Sequence, residues 1–213
     1  MKKKLLIIFF IVTSILSILY GVHAAKKEIP TSEKIVRAKF KTDGSVMLPV
    51  NYHHWVHVGT FIKESGINIF DNSKITAPLI GNTYIEPSAY RHYMATGEWA
   101  DGSQIVKEFT EALAGYNCDN KDTHVCKTAI GSGIFQNNYA GFGYMVKDKK
   151  RYPDEAGNWA FFTSGHLKPP YPETAMRKAK ESCSACHIRH ASDQDYVFAA
   201  QKIGLERNNP ANK

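Results

Sequence analysis

Between residues 103 and 110 the chain alternates between two sides. Ile105, Lys107 and Phe109 fall on one side of an extended backbone, and Val106 and Glu108 on the other. The pattern predicts a strand that sets a lysine among apolar neighbours, where a solvated amine does not normally point. Short strands are also predicted over 34–40 and 45–48, around the turn Thr42-Asp43-Gly44, and over 79–85, 140–146 and 159–163. Gly141 and Gly143 mark a bulge or a close backbone approach. Helices are predicted over 51–58, ended by Gly59, and from Glu86-Pro87-Ser88 through Thr96, with Pro at the first helical position and Gly97 as the stop. From Glu173, Ala175, Met176 and Ala179 share one helical face. A last helix with Tyr196, Val197, Phe198, Ala200 and Ile203 can be capped by Ser192 or Asp193. The sum is an α+β domain over 25–213, a sheet of about four or five strands with flanking helices.

The N-terminus reads differently. Lys2, Lys3 and Lys4 precede an apolar run from 5 to 20, then Gly21-Val22-His23-Ala24-Ala25. That order predicts a secretory signal peptide over 1–24, with Val22 and Ala24 at the two small positions. The rival is an uncleaved anchor, but the run is short for a span and holds Thr13, Ser14 and Ser17. Either way the folded part is expected outside the cytoplasm, in the periplasm if cleaved. Loss of 1–24 takes the formal charge from +7 to +4. With no basic stripe interleaved with aromatics, nucleic acid is not an expected partner.

Cysteine usage narrows the chemistry. Glu181-Ser182-Cys183-Ser184-Ala185-Cys186-His187 contains one Cys-x-x-Cys-His, the attachment pattern of a c-type haem. Two thiols at this spacing can each add to one porphyrin vinyl group. The adjacent His187 can then supply an axial imidazole to the iron. A zinc ribbon would need a second pair at similar spacing, and Cys118 and Cys126 have seven residues between them. These two lie in a polar loop, where an oxidising compartment favours a local disulfide; a metal clip with His124 is the alternative. His53, His54 and His57 could share a helical face, but no carboxylate nearby completes a metal set, so structural or surface roles are expected.

No methionine follows His187, and Met47, Met94, Met145 and Met176 precede it. Met145 is read as core packing. His190 is three residues beyond His187 on the same side of the chain and is not placed to reach the opposite haem face. An open distal site follows, which favours ligand binding or catalysis over pure electron carriage.

Several stretches, in order, resemble the cytochrome P-460 family. They are Asn51-Tyr52-His53-His54-Trp55-Val56-His57-Val58-Gly59-Thr60, Thr83-Tyr84-Ile85-Glu86-Pro87, Thr96-Gly97-Glu98-Trp99-Ala100-Asp101-Gly102, Val106-Lys107-Glu108, Gly157-Asn158-Trp159-Ala160-Phe161-Phe162 and Asp195-Tyr196-Val197-Phe198. The resemblance runs from about residue 35 to 200 and includes the haem motif. It implies a mainly antiparallel sheet with helices, often in homodimers, and one covalent haem c held by Cys183, Cys186 and the proximal ligand His187. It further implies oxidation of hydroxylamine to nitrogen oxides, electrons passed to a soluble periplasmic acceptor, and a lysine bonded to the porphyrin edge. The matching lysine is Lys107. The chain departs from the family in 77–82, which lacks an arginine, and in the Cys118–Cys126 loop, which looks like an insertion. A related protein, cytochrome c′-beta, lacks the cross-link and binds nitric oxide in an apolar pocket, which Leu79 and Ile80 would suit. An enzyme, a nitric oxide binder and, third, an electron carrier are the competing expectations.

Overall fold

Five strands that follow one another in sequence are also neighbours in space. They are β1 (Val56–Lys63), β2 (Leu79–Ile85), β3 (Gln104–Ala112), β4 (Gln136–Lys147) and β5 (Trp159–Thr163). Their order across the sheet is β5-β4-β3-β2-β1, every pair antiparallel. The computed structural model describes residues 34–208 apart from 65, 68–73, 76–77, 120 and 166. The signal segment expected over 1–24 lies outside the described residues. From Lys34 onward the chain forms one unit. Among the described residues three two-stranded pairs accompany the sheet: Val46–Met47 with Thr174–Ala175, Gly66–Ile67 with Lys74–Ile75, and Cys126–Thr128 with Gly131–Gly133.

The α+β expectation and the mainly antiparallel sheet hold. Helix α1 (Pro87–Thr96) follows from its ends. Glu86 accepts from the backbone N–H groups of Ser88 and Ala89 at 2.9 and 3.1 Å, filling two donors that a first turn leaves open. Gly97 ends the helix at φ 84°. Helix α2 (Ser184–Ala191) carries the haem motif near the C-terminal end.

Four local expectations are corrected. Residues 51–58 give one 3-10 turn, Tyr52–His54, and then strand β1, because Val56, His57 and Thr60 find partners in β2, Val58 falling at a bulge in the register. The helix expected from Glu173 is instead the short strand Thr174–Ala175, paired with Val46–Met47, and α2 begins only after Cys183. The expected last helix is broken into 3-10 turns at Asp195 and Tyr196, both in the left-handed region. Residues 34–40 contribute a single bridge, Phe40 to Val46.

Alternation along β3 splits the core. Ile105 packs with Ile85, Met145, Trp159 and Phe161, under Val197, Ala199 and Leu205 from the C-terminal segment. Val106 packs with Phe142, Tyr144 and Phe162, under Val46, Leu48 and Tyr52 from the N-terminal segment. Each such side chain, once buried, contributes about 1.5–3 kcal/mol. Among the described residues no helix is long and apolar enough to cross a membrane.

Candidate functional site

Directly opposed residues of antiparallel strands share a face. Lys107 opposes Thr83 on β2 and Gly143 on β4, and Gly143 opposes Thr163 on β5. Phe161 is two residues from Thr163 on β5, so it lies on the Lys107 face. The His187 ring packs on it, centroids 4.6 Å apart. The sheet therefore presents Lys107 and the haem motif to one another on a single surface.

The motif opens α2. Cys183 is its N-cap residue, and Cys186 and His187 follow within the first turn, where helical spacing gathers residues three and four apart on one side. Both thiols are free, Cys183 half-buried and Cys186 exposed. Burial holds the Cys183 thiol above its ordinary pKa.

His187 is fixed on three sides. Phe161 and Phe198 flank its ring, the latter at 4.9 Å. Its Nδ1 lies 2.7 Å from the Tyr196 carbonyl oxygen. A carbonyl only accepts, so Nδ1 carries the proton and Nε2 keeps its lone pair. Burial lowers the pKa of the ring, the Tyr196 bond works against that, and the Lys107 charge adds to it. A neutral imidazole with a free Nε2 is the form that ligates a metal.

Lys107 stands out on β3. Residues 104–106 and 108–110 are buried, while Lys107 itself is open to solvent. Its Nζ lies 4.3 Å from the ring centroid of Phe61 and 5.6 Å from that of Phe109. Surrounding protein strips away much of the amine's hydration even though a water can reach it. Such desolvation, with Lys202 and Lys63 nearby, brings its pKa down to about 8. Cys186 acts in the opposite direction, which again puts the amine within electrostatic reach of the motif.

The surroundings suit a flat, metal-bearing macrocycle. Two free thiols, able to add to its vinyl groups, and one imidazole nitrogen, able to ligate its metal, are the groups that would hold it. The buried hydroxyl oxygen of Thr83, across from Lys107, has no hydrogen-bond partner among the described residues. A Cβ at Gly81 would fall 1.8 Å from Phe61 Cε1, so only glycine lets that ring lie across β2.

Other candidates go elsewhere. Cys118 and Cys126 are joined in a disulfide. His53 Nε2 lies 2.6 Å from Glu108, and His57 Nε2 lies 3.0 Å from Thr60 Oγ1. No group of three or more His, Cys, Asp or Glu able to hold a metal ion occurs among the described residues. His190 follows His187 on α2. Met145 is buried in the core. Leu79 shares the Lys107 face, but Ile80 is corrected: it opposes Thr110 and faces the other side, because strand side chains alternate. Gly141, at φ 93°, sits where the β3–β4 register slips, as a bulge requires.

Sequence reasoning missed Phe61, which lies beyond the helix expected over 51–58, and the Asp195–Tyr196 turn. It also missed Lys147, one residue past the strand expected over 140–146; its side chain is only 7 % exposed. A cleft of about 710 Å³ lies beside Trp99, Lys147, Asp195 and Leu205. None of Lys107, Phe61, Cys183, Cys186 or His187 lines it.

A family model described as Cytochrome P460 matches residues 49–199. No curated protein matches the chain.

Proposed function

The chain belongs to the cytochrome P460 family, and from that premise we propose that it is an exported mono-haem c enzyme oxidising hydroxylamine or a related small nitrogen species. The observation that carries this reading is the shared face: Lys107 and His187 address one surface of one sheet. When bound, haem would supply a redox-active iron able to take electrons from a small nitrogen substrate.

The chain's own residues do the rest. Cys183 and Cys186 hold the macrocycle through thioether bonds. His187 offers Nε2 to the iron, and the Tyr196 carbonyl fixes its tautomer. Lys107, with a pKa near 8, keeps a usable fraction of free amine near neutral pH. That amine is the group this chain would place against the porphyrin edge; exchanging an edge C–H for a C–N bond would also need a two-electron oxidant such as a peroxide. Phe61 and Phe109 limit water around it. Electrons leave to a soluble periplasmic acceptor.

A second reading, nitric oxide binding without turnover, is favoured by one observation. The rings nearest the Lys107 amine are those of Phe61 and Phe109, an apolar wall.

Mass and reduced absorption spectrum of the purified holoprotein separate the two. The enzyme reading expects one haem retained on the denatured chain, a strongly red-shifted reduced Soret band and hydroxylamine turnover. An ordinary c-type band with nitric oxide binding and no turnover replaces it with the second reading. His187→Ala should keep the thioether-bound haem and lose the native spectrum; an unchanged spectrum moves the ligand elsewhere, His190 first.

A further inference from the structure

We propose that Lys147 and Asp195 are positioning residues for the proximal ligand: they hold the turn whose carbonyl binds His187 Nδ1. This rests on His187 being the haem ligand.

The turn does not hold itself. Asp195 has φ 49° and Tyr196 φ 62°, two successive non-glycine residues in the left-handed region. A bulky tyrosine enters that region only when its surroundings fix it there. Yet this backbone aims the Tyr196 carbonyl at Nδ1, 2.7 Å away.

What fixes it comes from the sheet. Lys147 Nζ lies 2.7 Å from Asp195 Oδ2 and donates to the Gly157 carbonyl, also at 2.7 Å. Trp159 Nε1 donates to the Asp195 carbonyl at 2.9 Å. Lys147 ends β4 and Trp159 begins β5, opposed in register. A Cβ at Gly157 would fall 2.5 Å from Tyr196 Cδ2 and 2.7 Å from Asp195 Oδ1, so glycine there lets the turn close on the sheet. The Lys147 side chain is 7 % exposed, which strengthens its pairing. The route runs from the β4–β5 ladder through Asp195 to the Tyr196 carbonyl and His187. Neither Lys147 nor Asp195 hydrogen-bonds His187 itself.

The consequence is electronic. A firm acceptor at Nδ1 makes the imidazole a stronger donor at Nε2, which strengthens its bond to iron and favours the oxidised state. A loosened carbonyl lowers the iron–histidine stretching frequency and raises the midpoint potential.

The test uses the holoprotein, with resonance Raman of the reduced state and a redox titration, on Lys147→Met, Asp195→Asn and Lys147→Arg. Positioning expects Lys147→Met and Asp195→Asn both to lower the frequency and raise the potential, and Lys147→Arg to return both toward wild type. Charge acting through space would move the potentials oppositely, down for Lys147→Met and up for Asp195→Asn, with the frequency still. That result overturns the proposal, as does no change in either variant. If Lys147→Met fails to fold, Asp195→Asn decides through its frequency alone. His187→Ala is read first: an unaltered iron signature there removes His187 as ligand, so failure of the underlying reading is distinct from failure of the clamp.

Discussion

Lys107 and Glu108 are consecutive in sequence and stand on opposite faces of β3. Glu108 is 2 % exposed and its valences are met. Tyr52 donates to one oxygen at 2.7 Å, His53 Nε2 lies 2.6 Å from the same oxygen, and Asn82 donates to the other at 3.0 Å. Burial, together with this carboxylate, pushes the Tyr52 hydroxyl far above its ordinary pKa, so the proton stays on the phenol. Across the sheet, Lys107 meets aromatic rings, and among the described residues no carboxylate pairs with it. A buried charge with all its partners present is a part of the frame. An amine left among rings, beside a hydroxyl with no partner among the described residues, is where the proposed chemistry would act.

The comparison can be broken at several points. Replacing Cys183 and Cys186 together by alanine should leave no haem on the denatured polypeptide; haem that stays attached would end the assignment of this face. Lys107→Ala should return the reduced Soret band to an ordinary c-type position and bring hydroxylamine turnover to background. Turnover that survives undiminished takes Lys107 out of the mechanism. Glu108→Gln should behave oppositely, costing about 1–3 kcal/mol in denaturant unfolding while spectrum and turnover stay put. A spectral change there would mean the two faces are not separable.

The smallest effect is on pH dependence. The folded pKa of Lys107, about 8, lies below that of an unfolded lysine, so the unfolded chain binds more protons above pH 8. Stability should therefore rise with pH from about 8 toward 10, and haem-free Lys107→Met should lack that increment. Parallel stability-versus-pH curves for the two would show that the amine is not desolvated.

Helix α1 was legible because its signals are local: the Glu86-Pro87 start and the Gly97 stop. Alternation along β3 also set Lys107 on the side of Ile105 and Phe109, as the strand register has it. The haem motif was legible because it is contiguous. What failed depends on distant partners. Strand β1 looked helical until β2 supplied hydrogen bonds. Ala175 and Met176 mimic a helix face, but Val46–Met47 pairs with that backbone instead. The Asp195–Tyr196 turn is set by Lys147 and Trp159, on strands far earlier in the sequence, and no window around Tyr196 contains them.

The sheet is a plain meander, and that bears on the order of assembly. Each strand of β1 to β5 pairs only with its neighbours in sequence, and the last of them ends at Thr163. Contacts that close short loops form early. Cys183 and Cys186 come later and sit on a segment that lends no strand to this sheet. The ladder carrying Lys107 can thus form before the segment bearing both thiols has docked on it, so haem attached as proposed would meet a sheet already built, and a lysine bond would come after the thioethers.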